Sequence, residues 1–245
     1  MKNILVIGAT SSIAYEICKR YSNKGCNLYL LARDMDKLTS IKNDLIVRGA
    51  NSVQCAQWDA SHDRINDDSL DEVVESMGKL DIVLIAHGYL PDQKQCEASS
   101  EKTFDAIYAN GFSVVRILTK IANVMESQKS GNITVITSVA GDRGRKSNYV
   151  YGTSKSMVST FLQGLSHRLS QKNIHVLDIK PGFVDTPMTE DFKKGILWSS
   201  PSVIAKIIER RIERKSSISY APLFWILIMA IIRALPNRII NKMDI

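Results

Sequence analysis

Cysteine is scarce in this chain of 245 residues: the four present are Cys18, Cys26, Cys55 and Cys96, and they form no C-x-x-C pair. No histidine stands at metal-ligand spacing from them, so no structural zinc and no other metal ligand is expected. Free thiols suit a reducing compartment. No secretory leader precedes the first strand pattern, so a cytoplasmic protein is expected. Aromatic residues make up only 7% of the chain. They form no stacking cluster, and no basic helix presents base-reading side chains, which argues against nucleic acid as a partner. No apolar run reaches the roughly 20 residues of a membrane span. Repeats, linkers and low-complexity tracts are lacking too; the length alone allows one large domain or two small ones.

The 44% apolar content is ordinary for a globular protein and enough to build a core. The net charge is +7. Part of the excess sits in Arg210, Arg211, Arg214, Lys215, Arg233, Arg238 and Lys242, around a C-terminal apolar segment. That placement suggests an acidic partner or an anionic membrane surface.

Along the chain, short apolar runs alternate with helical patterns. Residues 2–7 read as a strand and 8–14 as a tight turn, and a helix follows to residue 24, with Gly25 as its stop. Further strands are expected at 27–31, 52–57, 81–86, 132–137, 175–180 and 218–221. Helices are expected at 36–48, 99–125, around 151–171 and at 201–214. Such alternation predicts an α/β fold, a doubly wound parallel sheet with helices on both faces.

The stretch Ser138 to Lys155 organises the chemistry. Tyr151 and Lys155 are four apart and share one helix face. An ammonium near a phenol favours the phenolate and is expected to lower the tyrosine's pKa from about 10. Such a tyrosine can exchange a proton with a carbonyl or alcohol oxygen, which a serine hydroxyl opposite can hold. Tyr-x-x-x-Lys alone is more often a surface pair, but Ser138 followed by twelve intervening residues and then Tyr151 is far more specific. Tyr149 has Thr153, not a lysine, four residues on.

With this spacing the chain resembles the short-chain dehydrogenase/reductase family. The resemblance implies a single-domain Rossmann fold over 1–222, an apolar C-terminal tail over 223–245, and a nicotinamide cofactor. It implies Asn110, Ser138, Tyr151 and Lys155 as the catalytic set. Asn110, with Gly111, violates helix propensity inside an otherwise helical stretch; in the family this asparagine opens the helix and holds a water of the proton relay. The family writes Thr-Gly-x-x-x-Gly-x-Gly in the first turn. Here Ile7, Ser12 and Ala14 replace three of these positions and only Gly8 remains. Gly8, Thr10, Ser11, Ser12 and Ile13 are the expected pyrophosphate contacts. The ribose-binding aspartate is replaced by Ala32, and Arg33 follows. Arg33 either opens the next helix as a solvated residue or pairs with a 2′-phosphate; the resemblance favours the second, hence NADP(H), with NAD(H) open. Asp59 matches the residue near adenine. Ala86 and Gly88 stand in a segment the family writes Asn-Asn-Ala-Gly, where both asparagines are missing, and His87 between them reads as packing. Pro181, Gly182, Val184 and Thr186 match the segment that lines the nicotinamide pocket. Residues 187–200 read as a mobile substrate loop.

Tyr151-Gly-Thr-Ser-Lys155, the loop Asp142-Arg-Gly-Arg-Lys146 and the ending Tyr220-Ala-Pro222 with its apolar helix are similar to one subfamily, the decaprenylphosphoryl-2-keto-pentofuranose reductases. That likeness implies a keto-sugar substrate on a polyprenyl phosphate, used in cell-wall glycan synthesis. Arg143 and Arg145 either meet the substrate phosphate or are solvated. Residues 223–232 are apolar on every side, which suits an interfacial helix at the inner face of a membrane or a homo-oligomer interface. Two other classes stand beside this reading: a soluble ketoreductase of a lipid, steroid or acyl chain, and a non-catalytic dinucleotide sensor.

Overall fold

The computed structural model describes residues 1–61 and 67–243. The last two residues of the expected tail, 244–245, lie outside them. The strands are β1 (Asn3–Ile7), β2 (Asn27–Ala32), β3 (Ser52–Gln57), β4 (Ile82–Ile85), β5 (Gly131–Ile136), β6 (Ile174–Pro181) and β7 (Ile218–Ala221). They form one sheet in the order β3-β2-β1-β4-β5-β6-β7, and every neighbouring pair is parallel. The order reverses between β1 and β4, which leaves a crevice beyond their carboxyl ends where such sheets bind ligands.

Helices α1 (Ser12–Ser22), α2 (Met35–Val47), α3 (Asp67–Met77), α4 (Gln93–Ala98), α5 (Ser100–Ile107), α6 (Ser113–Gln128), α7 (Tyr149–Leu169) and α8 (Pro201–Glu213) connect the strands. Two cores result. Ile13, Ile17, Leu38, Leu45, Ile204 and Ile208 pack α1, α2 and α8 on one face. Val114, Ile117, Ile121, Val158, Leu162 and Leu165 pack α6 and α7 on the other. Sequence alone sets several helix starts: Asp34 accepts from the Lys37 amide at 2.9 Å, and Ser200 caps α8 ahead of Pro201. Glu209 on α8 is buried and held by Arg20 and Lys24 at 2.5 and 2.8 Å, which fastens α8 to the end of α1.

One expectation changes in detail. The single helix expected at 99–125 is α5 and α6 joined through a π turn, Tyr108–Phe112. Loop 187–200 is tied at its ends: Val184 bridges to Ser199, Trp198 stacks on Phe183 with ring centroids 5.3 Å apart, and Lys194 pairs with Asp185 at 2.5 Å.

The tail forms α9 (Trp225–Ala234) and a short α10 (Asn237–Ile240). Although its composition is apolar all round, only one side of α9 is packed: Trp225 and Met229 are buried against Val139. Among the described residues no helix is long and apolar enough to cross a membrane.

Candidate active site

The segments expected to bind the cofactor, and Ser138, emerge at the carboxyl edge of the sheet: Gly8–Ile13 after β1, Arg33 after β2, Asp59 after β3, Ala86 and Gly88 after β4, Ser138 after β5, and Pro181–Thr186 at the end of β6. Ser138 ends the strand in extended backbone and its hydroxyl accepts from the Ala140 amide at 3.1 Å. The 3-10 turn that follows lies against α7. A Cβ on Gly152 would stand 2.7 Å from the Ala140 carbonyl oxygen, so glycine there lets the helix close on the turn. The closure brings the Tyr151 hydroxyl near enough to Ser138 for the serine to favour the phenolate. Lys155, one turn on, is 4% exposed. Its Nζ donates to the Ile136 carbonyl at 3.3 Å and lies 5.5 Å from the centre of the Tyr151 ring.

Asn110 sits inside the π turn, fully buried. The Ser113 amide reaches back to the Tyr108 carbonyl, five residues away; this widening marks the position where the sequence broke helix preference. Asn110 Nδ2 donates to the Ala106 carbonyl at 3.0 Å, and Oδ1 accepts from the Tyr89 amide at 2.8 Å. Asn110 thus ties the helix to the strand end at Gly88, whose φ of +145° requires glycine.

One expectation fails. Tyr151 is not lowered overall: burial pushes the phenol up to about 12, and Ser138 only partly offsets it. Burial also pulls Lys155 down to about 8, with Asp178 opposing. The order of these values supplies the reason: when Tyr151 ionises, Lys155 has already lost its proton and offers no charge. Near neutral pH the situation differs, because Lys155 is then mostly charged beside a fully protonated phenol. Such a tyrosine is still a stronger acid than an alcohol, since water itself is near 15.7.

Sequence reasoning missed the groups behind Lys155. Asp178 on β6 is 1% exposed. Its Oδ1 accepts from the Thr137 hydroxyl at 2.5 Å, and its carboxyl is held above the usual range chiefly by burial. Lys180, also buried, bonds Asp142 at 2.6 Å and lies 3.9 Å from Asp178. The Tyr220 hydroxyl donates to the other Asp142 oxygen at 2.6 Å. This chain of charges runs from β7 to the residue before Ser138. A lysine and aspartate alternating on an apolar strand, Asp178-Ile-Lys180, was the available signal.

His87 is packing, as expected. Its Nε2 lies 2.9 Å from the Ser113 hydroxyl, which itself donates to the Ala109 carbonyl at 2.8 Å. Nε2 therefore carries the proton. The ring meets Trp58 edge-on at 5.3 Å, and burial takes its pKa down to about 3, too low for a general base.

A dinucleotide fits the crevice on two observations. Gly8 has φ +85°, and a Cβ there would stand 2.5 Å from the His87 nitrogen. Helix α1 begins at Ser12 with no side-chain cap and no acidic residue in its first turn, so its free N–H groups can meet a phosphate. Arg33 is exposed at the end of β2, and Asp59 accepts from the Ser61 amide at 3.0 Å. Thr186 is bonded within its own turn to Thr189 at 3.3 Å, and Val184 is buried. Gly182 is covered by Trp225: a Cβ would stand 1.9 Å from the indole.

The family model described as short chain dehydrogenase matches residues 2–196. The chain is a short-chain dehydrogenase. It is 28% identical over 242 residues to an uncharacterized oxidoreductase of Mycobacterium tuberculosis, covering 98% of this chain and 96% of that one. In fold it resembles a short-chain dehydrogenase from Sphingobium yanoikuyae in complex with NADPH, with TM-score 0.79, 19% identity and 97% of each chain covered. It also resembles an actinorhodin polyketide ketoreductase variant with NADPH, with TM-score 0.78, 22% identity, and 91% and 97% covered. This short-chain dehydrogenase is an NAD(P)-dependent oxidoreductase acting between an alcohol and a carbonyl.

Proposed function

We propose that this short-chain dehydrogenase uses NADPH to reduce a keto-sugar, the 2-keto group of a pentofuranose carried on a polyprenyl phosphate, in the synthesis of cell-surface glycans. The observation that carries the reading is the meeting of three segments distant in sequence. Asp142, Tyr220 and the tail, on which the likeness to keto-pentofuranose reductases rests, touch one another beside the catalytic helix. Tyr220 bonds Asp142, and Arg143 donates to the Arg233 carbonyl at 2.9 Å and to Asn237 Oδ1 at 2.6 Å. Arg143 is thereby committed to the tail. Arg145 and Lys146 instead line a cleft of about 350 Å³ with Tyr149, Ile240 and Met243, a place suited to the substrate phosphate.

When bound, the nicotinamide supplies the hydride. Ser138 holds the carbonyl oxygen, and Tyr151 gives it the proton that turns the nascent alkoxide into an alcohol. Charged Lys155 favours the phenolate left behind, and Asn110 keeps the π turn through which a water-linked relay would restore the proton. The α1 N-terminus would hold the pyrophosphate, and Arg33 the 2′-phosphate, in line with NADPH in the two structural neighbours.

The test is NADPH oxidation with a polyprenylphosphoryl keto-pentose against the free keto-sugar and a 3-oxoacyl thioester. The lipid-linked sugar should have the highest kcat/KM. A preference for the acyl thioester would sink the sugar reading and leave a ketoreductase of other specificity.

A further inference from the structure

We propose that the outer face of α9 docks this enzyme on an anionic lipid bilayer, lying in the interface without crossing it. The inner side of the helix is used: Trp225 and Met229 are buried. The opposite side carries Leu227 and Ile231, 68% and 56% exposed, flanked by Leu223, Phe224 and Ile226, with Ile239 of α10 exposed beyond. A helix with an exposed face of this composition, too short to span, suits the headgroup–acyl boundary.

Charge selects the occupant. From residue 223 to 245 the chain has Arg233, Arg238 and Lys242 against a single acidic side chain, Asp244. Arg233, Arg238 and Lys242 are all exposed. An anionic bilayer answers both the apolar face and these cations. A second copy, meeting the same face by two-fold symmetry, would bring apolar surface and three further cations against one acidic side chain, Asp244.

The docked face is joined to the site. Trp225 lies on Gly182 and meets Phe183 edge-on at 5.3 Å; it also packs on Val139, the neighbour of Ser138. Bilayer contact would therefore hold the catalytic crevice close to the membrane surface, where a lipid-borne ketone is presented. This deepens the substrate reading above. Its test measures binding rather than turnover, so the two fail separately.

The full chain would be floated with vesicles of phosphatidylcholine alone and of phosphatidylcholine mixed with phosphatidylglycerol, at low and high salt. Binding is expected to the anionic vesicles and to weaken with salt. Leu227→Asp with Ile231→Asp should lower it by about tenfold or more. Arg238→Glu with Lys242→Glu should weaken it at low salt while reduction of a water-soluble ketone by NADPH stays unchanged. The second pair keeps the test valid if the first does not fold. Failure of the active full chain to bind anionic vesicles would overturn the proposal. So would equal binding to both vesicle types, or an aspartate pair that changes the oligomer mass in light scattering and leaves vesicle binding intact.

Discussion

Asp178→Asn should move the proton equilibrium of Lys155 without touching a reacting atom. Burial takes Lys155 from 10.5 to about 8, about 3 kcal/mol against the ammonium. The Asp178 carboxylate opposes this and favours the charge. At a pKa of about 8, Lys155 is about nine-tenths charged at pH 7 and about half charged at pH 8. Removing an opposite charge in a buried setting typically lowers a lysine by on the order of one pH unit. Lys155 in the variant would then be about half charged at pH 7 and about one-tenth charged at pH 8. The side-chain amide introduced by the substitution keeps an oxygen for the Thr137 hydroxyl, so the strand contact survives. The assay is the pH profile of kcat/KM for ketone reduction, which reports groups of the free enzyme. The wild type should lose activity as pH rises through about 8, because the ammonium that favours the departing phenolate is lost. In Asp178→Asn the fall should begin lower, with about a fivefold deficit at pH 8. Lys155→Arg, whose guanidinium stays charged, should be slower but lack this limb. An alkaline limb that stays in place in Asp178→Asn, or survives in Lys155→Arg, refutes the assignment.

Tyr151→Phe should keep nucleotide affinity, measured by fluorescence titration, and lose about 10² to 10⁴ in reduction rate; activity within a few-fold of wild type would remove it as the acid. Arg33→Ala should weaken NADPH far more than NADH, and an equal loss for both would end the 2′-phosphate role. Gly88→Ala would place a methyl 2.6 Å from Asn110 Oδ1 on a backbone at φ +145°, which should cost about 1–3 kcal/mol, lower Tm and depress kcat together. An unchanged Tm would show that the Asn110–Tyr89 link is not structural.

Much of this was legible because it depends on local pattern. Strand and helix alternate with the right periods, and Ser138, Tyr151 and Lys155 are close enough in sequence for one turn and one helix to bring them together. Asn110-Gly111 betrayed the π turn by offending helix propensity. The missed parts depend on contacts between distant residues. Asp178, Lys180, Asp142 and Tyr220 join across 78 residues at most, and no periodicity announces a buried charge network. The direction of the Tyr151 pKa was misjudged for a related reason: sequence spacing shows the neighbouring lysine but not the burial that acts on both groups. In the tail, uniform apolarity hid the inner face, because only interspersed polar residues reveal which side of a helix is packed.

The incomplete glycine loop illustrates the same division. Three of its four family positions are altered, which on sequence alone weakens the case for a dinucleotide. The structure separates the positions by what each backbone needs. Gly8 alone has a positive φ in this loop, and its Cα faces the β4 end so closely that a Cβ would collide with the backbone of Ala86 and His87. Ser12 is the first residue of α1, in helical backbone that any L-residue adopts. Ala14 is fully buried, where small size suffices for packing between helix and sheet. Ile7 lies inside β1 with no exposure. The retained glycine is thus the one that the turn geometry requires, and the substitutions fall where ordinary side chains fit. The loop still offers an uncapped helix N-terminus to a phosphate, so the lost glycines do not favour a protein without a dinucleotide.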